Sequence, residues 1–152
     1  EAAAWDKVQD SLPDLPAQTH SAPIETLSMP GPTGESNRLS TFPRPALLCM
    51  GPGADAAAAQ ARAVEALGGQ AVVTTGQLDP ALLQNAPDYG GVLWWGDAET
   101  ARALEQALAA REGAILPLLR GLPDVARVRG ERHICVDTTA SGGNAALLGA
   151  AT

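Results

Sequence analysis

The stretch Ala46-Leu-Leu-Cys-Met-Gly-Pro-Gly53 decides the fold. Its first five residues form a short apolar run, which is typical of a buried parallel strand. The Gly-Pro-Gly turn then leads into a helical pattern over residues 55–67, which Gly68 and Gly69 end. A strand, a tight turn and an amphipathic helix in this order form one unit of an α/β fold.

The same alternation continues along the chain. Asp97 is placed to cap another helix, and Asp79 followed by Pro80 predicts a short one. Pro117 indicates that the last strand lies at an edge or ends early. Further apolar runs predict three more strands, at 70–74, 91–95 and 114–118. The sequence therefore predicts a parallel sheet of Rossmann type.

The N-terminal region has a different composition. We expect a short helix over residues 1–10 and an extended linker over 11–34, where prolines remove amide donors and block helix formation. The predicted organisation is a short helix and proline-rich linker over 1–26, a Rossmann-like domain over 27–130 and a C-terminal tail over 131–152.

The charge balance argues against a nucleic-acid partner. The chain has 17 acidic and 10 basic side chains, a net charge of -7, whereas phosphate backbones bind clustered Lys and Arg. Arg127, Arg129 and Arg132 form a mild cluster, which we interpret as the solvated edge of a strand or loop. No apolar run approaches the roughly 18 residues that a transmembrane helix needs.

Cysteine and histidine usage predicts neither a disulfide framework nor a metal site. Cys49 and Cys135 lie in apolar stretches, and we expect both to be buried as small hydrophobic side chains. Two free thiols fit a reducing cytoplasm. His20 and His133 are far apart and lack ligand spacing.

A bound nucleotide is an alternative function for the Gly51–Gly53 turn. A glycine-rich turn between a strand and a helix is the context in which dinucleotides bind. However, Thr74, Thr75 and Gly76 follow the second strand, where an acidic ligand of the ribose is expected. We interpret the turn as a tight strand-to-helix connection and leave nucleotide binding as the alternative.

Two segments resemble the proline utilization A (PutA) family. Leu27-Ser-Met-Pro-Gly-Pro-Thr-Gly-Glu-Ser-Asn-Arg38 is similar to the segment that introduces the extra C-terminal domain of these proteins. Glu131-Arg-His-Ile-Cys-Val-Asp-Thr-Thr-Ala-Ser-Gly-Gly-Asn-Ala-Ala-Leu147 is similar to their closing motif, with Asp137 where Asn is usual and Ser141 where Ala is usual. The resemblance covers residues 27–148.

The resemblance implies a domain of a long bifunctional protein. The family oxidises proline to glutamate with an FAD-dependent proline dehydrogenase and an NAD-dependent pyrroline-5-carboxylate (glutamate-semialdehyde) dehydrogenase, joined by an internal tunnel. Its extra domain resembles the NAD-binding domain of aldehyde dehydrogenases. The oxyanion asparagine and cofactor lysine of working aldehyde dehydrogenases have no match at Gly51–Asp55 and Thr74–Gly76. We therefore expect no catalytic, cofactor-binding or metal residues in this chain; FAD and NAD belong to the parent.

The resemblance also implies that the tail docks on the dehydrogenase part and helps to seal the tunnel. The expected partners are the proline dehydrogenase and aldehyde dehydrogenase parts of the same polypeptide, or a second subunit. The expected location is cytoplasmic, or the inner-membrane surface for the parent. A residual NAD- or nucleotide-binding domain is the alternative, and a free-standing small enzyme has the least support. The predicted interface residues are Asp137, Thr138, Thr139, Gly142, Gly143, Asn144 and Leu147.

Overall fold

The structure, a computed structural model, describes residues 8–9, 11–16, 22–74 and 76–138. Its helices are α1 (Gly53–Ala66), a 3-10 helix (Pro80–Leu83), α2 (Ala98–Ala109) and α3 (Val125–Val128). Its strands are β1 (Val8–Gln9), β2 (Glu25–Met29), β3 (Glu35–Pro43), β4 (Leu47–Cys49), β5 (Ala71–Val73), β6 (Gln77–Leu78), β7 (Gly91–Leu93), β8 (Leu118–Leu119) and β9 (Arg129–Asp137).

The chain divides into two compact units. One comprises the residues up to 22 together with 43–130, and the other comprises 23–42 together with the residues from 131 onward. Residues 27–42 belong to the smaller of these units.

The larger unit is built on a four-stranded parallel sheet in the order β5-β4-β7-β8. At its centre Leu48 lies opposite Val72 on one side and Val92 on the other. Because successive side chains of a strand point to opposite faces, each face buries its own cluster. Leu48 and Val92 pack with Leu104 of α2, whereas Leu47, Cys49 and Leu93 pack with Val64 of α1. The predicted Rossmann-type α/β architecture is confirmed.

Most of the predicted elements of this unit are confirmed, with shorter strands than expected. Asp97 caps α2 by accepting a hydrogen bond from the Thr100 amide at 2.8 Å, and Asp79 caps the 3-10 helix through the Ala81 amide at 2.9 Å. The fourth parallel strand and the edge position that Pro117 predicted are confirmed, but the strand is Leu118–Leu119 and not 114–118. Pro117 contributes a carbonyl to the Val92 amide at 3.0 Å but has no amide of its own to donate.

The helix predicted over 1–10 is wrong where the structure describes that segment. Val8 and Gln9 form a short strand that pairs in parallel with Gln77 and Leu78. The strand pairing supplies backbone hydrogen bonds to these two residues, whereas an isolated ten-residue helix is only marginally stable in water.

The smaller unit contains a hairpin that the sequence interpretation missed. β2 pairs antiparallel with β3, from Glu25 opposite Thr41 to Met29 opposite Asn37. The linker predicted over 11–34 is therefore wrong at its C-terminal end. The Pro-Gly-Pro-Thr-Gly segment forms the connecting turn, where the Glu35 amide donates to the Pro32 carbonyl at 3.0 Å and Gly34 has a φ of 89°.

The strand β9 completes a three-stranded sheet beside β3. The Thr138 hydroxyl donates to the Gly34 carbonyl at 2.7 Å, and the Arg132 guanidinium lies 4.8 Å from the centre of the Phe42 ring. Because Arg132 lies beside Phe42 and Thr138 lies beside Gly34, β9 and β3 run antiparallel. Cys135 is exposed on β9 and donates to a Glu35 carboxylate oxygen at 3.1 Å, so the prediction that this cysteine is buried is wrong.

Candidate functional site

The crevice at the carboxyl ends of the parallel strands is where a Rossmann-type fold binds its ligands. The chain order of the strands reverses between β4 and β7, and a cavity of about 520 Å³ lies beside this point. Its walls include Met50 and Pro52 after β4, Trp94 after β7, and Asp97 and Thr100 at the start of α2. The volume is in the range of small-molecule sites.

The turn that would contact a dinucleotide is held by a buried glutamine. Gln60 of α1 is fully buried, its side-chain oxygen accepts from the Gly51 amide at 3.0 Å, and its side-chain nitrogen donates to the Gly51 carbonyl at 2.7 Å. The same carbonyl also accepts from the Trp95 amide at 2.9 Å. Pro52 has no amide hydrogen. The amide and the carbonyl of Gly51 are therefore used inside the fold.

Thr74, the residue after β5, also lies inside the fold. Thr74 is fully buried, and both its amide (3.1 Å) and its hydroxyl (3.4 Å) donate to the Cys49 carbonyl. This residue stands where the resemblance would require a cofactor-binding lysine. Thr75 lies outside the described residues. Thr74 thus fixes two neighbouring strand ends to each other rather than reaching into the crevice.

The charge of the crevice disfavours phosphate groups. Its charged lining residues are Asp97 and Glu99, and none of the lining residues is basic. The hydrogen bond that the Thr100 amide donates to Asp97 holds the pKa of this carboxyl below its usual range, so it is ionised at neutral pH. A pyrophosphate placed here would meet like charge.

Neither thiol is set up as a nucleophile. Burial, with the Glu65 carboxylate as a further cause, raises the pKa of Cys49 to about 12. The hydrogen bond to Glu35 is the largest cause that raises the pKa of Cys135. A nucleophilic cysteine needs the opposite shift, because the thiolate is the reactive form.

The described residues contain neither a metal site nor a membrane-spanning helix. No group of three or more His, Cys, Asp or Glu residues in the described ranges could hold a metal ion. Within the same ranges, no helix is both long and apolar enough to cross a membrane.

The predicted tail residues divide between described and undescribed segments. Asp137 ends β9, and Thr138 follows it with both its amide (2.8 Å) and its hydroxyl (2.7 Å) bonded to the Gly34 carbonyl. The other predicted interface residues lie outside the described part of the chain: Thr139, Gly142, Gly143, Asn144 and Leu147. Sequence reasoning missed Gln60, because a glutamine within an alanine-rich helix resembles a solvent-exposed residue. Its spacing of nine residues from Gly51 was the available signal.

The parallel sheet, its helices on both faces and its strand-to-helix turn define a Rossmann-type α/β domain. No family model matches the chain. It is 32% identical to the "Bifunctional protein PutA" of Salmonella typhimurium and to that of Escherichia coli, in both cases over 79% of this chain and 11% of the relative. The chain belongs to the PutA family and spans about a tenth of the length of these curated relatives.

Solved structures give related matches. A crystal structure of a bifunctional proline utilization A protein is 26% identical, with a TM-score of 0.49, and the match covers 62% of this chain and 13% of that one. A single-residue mutant of Bradyrhizobium japonicum Proline Utilization A has the same identity, TM-score and coverage.

We predict that the chain binds NAD no more tightly than about 1 mM, which corresponds to about -4 kcal/mol. The inward-facing Gly51 turn and the acidic crevice are the reasons. Isothermal titration calorimetry with NAD measures the dissociation constant, and AMP separates adenosine recognition from pyrophosphate binding. A micromolar constant for NAD would contradict the prediction.

Replacing the buried glutamine should destabilise the fold. In Gln60→Leu the Gly51 amide loses its acceptor, and we expect a loss of about 2–3 kcal/mol in the free energy of unfolding. Gln106→Leu, at an exposed position of α2, is the matched control and should change it by less than about 0.5 kcal/mol. Urea unfolding measures both, and equal midpoints for the two variants would count against the role of Gln60.

The buried thiol predicts a loss of stability at alkaline pH. The folded state holds the Cys49 proton up to a pKa of about 12, against 9.0 for a free thiol. The unfolded state therefore deprotonates first, and this thiol lowers the free energy of unfolding by about 1 kcal/mol per pH unit above pH 9. Cys49→Ala should flatten the alkaline slope in urea unfolding at pH 8 to 10.5. Cys135→Ala should flatten it less, because solvent screens an exposed thiol; identical slopes in both variants would refute the assignment.

Proposed function

We propose that the chain is a non-catalytic structural and interaction domain of a bifunctional PutA-type protein. That protein oxidises proline to glutamate through an FAD-dependent proline dehydrogenase and an NAD-dependent pyrroline-5-carboxylate dehydrogenase, and both cofactors bind outside this domain. The observation that carries the proposal is the pair of hydrogen bonds between the Gln60 side chain and the Gly51 backbone, one in each direction.

Those bonds matter because catalysis in such a fold uses the carboxyl ends of the strands. After β4 the amide and the carbonyl of Gly51 are bonded to the Gln60 side chain, and after β5 the Thr74 hydroxyl donates to the Cys49 carbonyl. The Cys49 thiol is kept protonated by burial. Gly51, Thr74 and Cys49 therefore serve the packing of the domain.

The interaction role rests on where the tail starts. Both polar groups of Thr138 that reach Gly34 fix the chain at the end of β9. The segment that follows carries short polar side chains and paired glycines, which permit close backbone approach. We propose that residues 137–147 pack on the dehydrogenase part of the same polypeptide or of a neighbouring subunit in the cytoplasm. There they close the tunnel that carries the intermediate.

A residual nucleotide-binding domain is the second candidate. The observation that favours it is the cavity of about 520 Å³ at the switch point of the sheet. Its acidic lining and the inward-facing turn weigh against it, and the NAD titration described above separates the two functions.

Removing the tail should impair the second reaction of the full-length protein. We expect truncation after Thr138 to leave proline dehydrogenase activity nearly unchanged, to slow pyrroline-5-carboxylate oxidation and to lengthen the lag before NADH appears, because the intermediate escapes. A cut after Gly130 is less informative, since it also removes β9 from its sheet.

The matched control for this truncation removes only residues 149–152, which lie beyond the proposed interface. Steady-state assays of each half-reaction and of the coupled reaction give the three readouts. If truncation after Thr138 behaves like the control in all three, the tail does not have the proposed role.

A further inference from the structure

A cavity of about 400 Å³ lies where the parallel strands begin, at the edge of the sheet opposite the crevice at their carboxyl ends. Pro45, Gly90 and Pro117 precede β4, β7 and β8 and line its floor. Catalytic and cofactor sites of Rossmann-type folds lie at the other edge, so this cavity is separate from the site described above. Its charged lining side chains are Arg44, Asp88, Arg111, Glu112 and Arg127.

Arg111 forms a fixed cationic wall of the cavity. One terminal nitrogen donates to the Leu83 carbonyl at 2.7 Å and to the Ala86 carbonyl at 3.0 Å, and the guanidinium carbon lies 4.8 Å from the centre of the Tyr89 ring. Its Nε is buried and has no hydrogen-bond partner among the described residues. The guanidinium is thus held in place at the cavity by two carbonyls and a ring.

Arg44 and Arg127 add two more cations. The Nε of Arg44 donates to the Ala126 and Arg129 carbonyls at 3.0 and 2.9 Å, which orients its guanidinium. Arg127 is exposed, and no side-chain hydrogen bond of this residue occurs in the described structure. A chain with a net charge of -7 thus has three of its ten basic side chains around one cavity, against two acidic ones (Asp88 and Glu112), a local net charge of +1.

Exposed apolar side chains accompany these cations. Ile115, in the loop that lines the cavity, is 97% exposed, and Val125, next to the lining residue Ala126, is 50% exposed. Leu122, in the segment leading to α3, is 78% exposed. Apolar side chains beside arginines are typical of protein interfaces, whereas the binding of a free small anion does not require exposed apolar side chains.

We propose that this cavity, with Arg111 and Arg127 on its wall and Ile115 on its rim, binds an acidic protein segment that carries an apolar side chain beside its carboxylates. The segment belongs to the remainder of the PutA polypeptide, of which this chain spans about a tenth. Arg111 and Arg127 pair with the carboxylates, and Ile115 is covered by the apolar side chain. The inference rests on the proposed function only in placing the domain within that longer polypeptide, and it does not involve the tail.

Photocrosslinking in the full-length protein tests the proposal. Ile115 is replaced by the photoreactive residue p-benzoylphenylalanine, and crosslinked peptides are mapped by mass spectrometry. We expect crosslinks to one acidic segment outside these 152 residues. Adding Arg127→Glu should lower the yield by at least about threefold, because reversing a charge at an interface repels the partner's carboxylates. Arg102→Glu, an exposed charge reversal on α2, should leave the yield unchanged.

Other outcomes would overturn the proposal. Crosslinks to a second copy of this domain would assign the surface to self-association, and crosslinks to a segment without carboxylates would remove the role of the arginines. Equal yields with Arg127→Glu and Arg102→Glu would do the same. The absence of any crosslinked peptide would show that the surface is solvent-exposed in the assembled protein. None of these readouts depends on tunnel kinetics, so failure here is distinguishable from failure of the proposed function.

Discussion

The two hydrogen bonds between Gln60 and Gly51 hold the first strand-to-helix turn, and the rest of the larger unit depends on that turn. β4 is central, because it pairs with both β5 and β7. The turn after it sets the direction of α1 over one face of the sheet. A buried amide side chain can do this because it satisfies one backbone donor and one acceptor together. The arrangement holds the turn in place and leaves neither the amide nor the carbonyl of Gly51 free to bind a ligand.

Sequence pattern was sufficient for this unit because its signals are local. The apolar runs around Leu48 and Val92 and the caps Asp79 and Asp97 specify strands and helix starts within a few residues. The pattern was insufficient where pairing is long-range. β1 pairs with β6 across nearly seventy residues, and two residues have no periodicity from which a strand could be predicted. The strand at Leu118–Leu119 was misplaced because the apolar run begins before the residues that can pair.

The hairpin and β9 show a second limit. Prolines at 30 and 32 predicted a linker, yet with Gly34 they form the turn between β2 and β3. Proline and glycine mark both linkers and hairpin turns, so composition alone does not separate them. Here the hairpin is distinguished from a linker by its pairing with β9, which lies more than ninety residues after the turn in sequence. For the candidate site, the absence of expected cofactor ligands could be predicted from residue identity. The hydrogen bonds that Gly51 and Thr74 make inside the fold could be found only from the three-dimensional structure.

The distribution of charge over the two edges of the parallel sheet runs against cofactor binding. Helix N-termini at the carboxyl edge attract anions in nucleotide-binding folds, but here Asp55 and Asp97 occupy the first turn of α1 and the cap of α2. At the other edge, the negative ends of the helices favour cations, which accounts for Arg111 just after α2. The same dipole argument applies to Arg127 in the last turn of α3, but it does not account for the fully exposed Ile115 on the same cavity. The acidic, apolar segment that we propose as the occupant of this cavity would cover Ile115, at the edge of the sheet opposite the carboxyl ends of the strands.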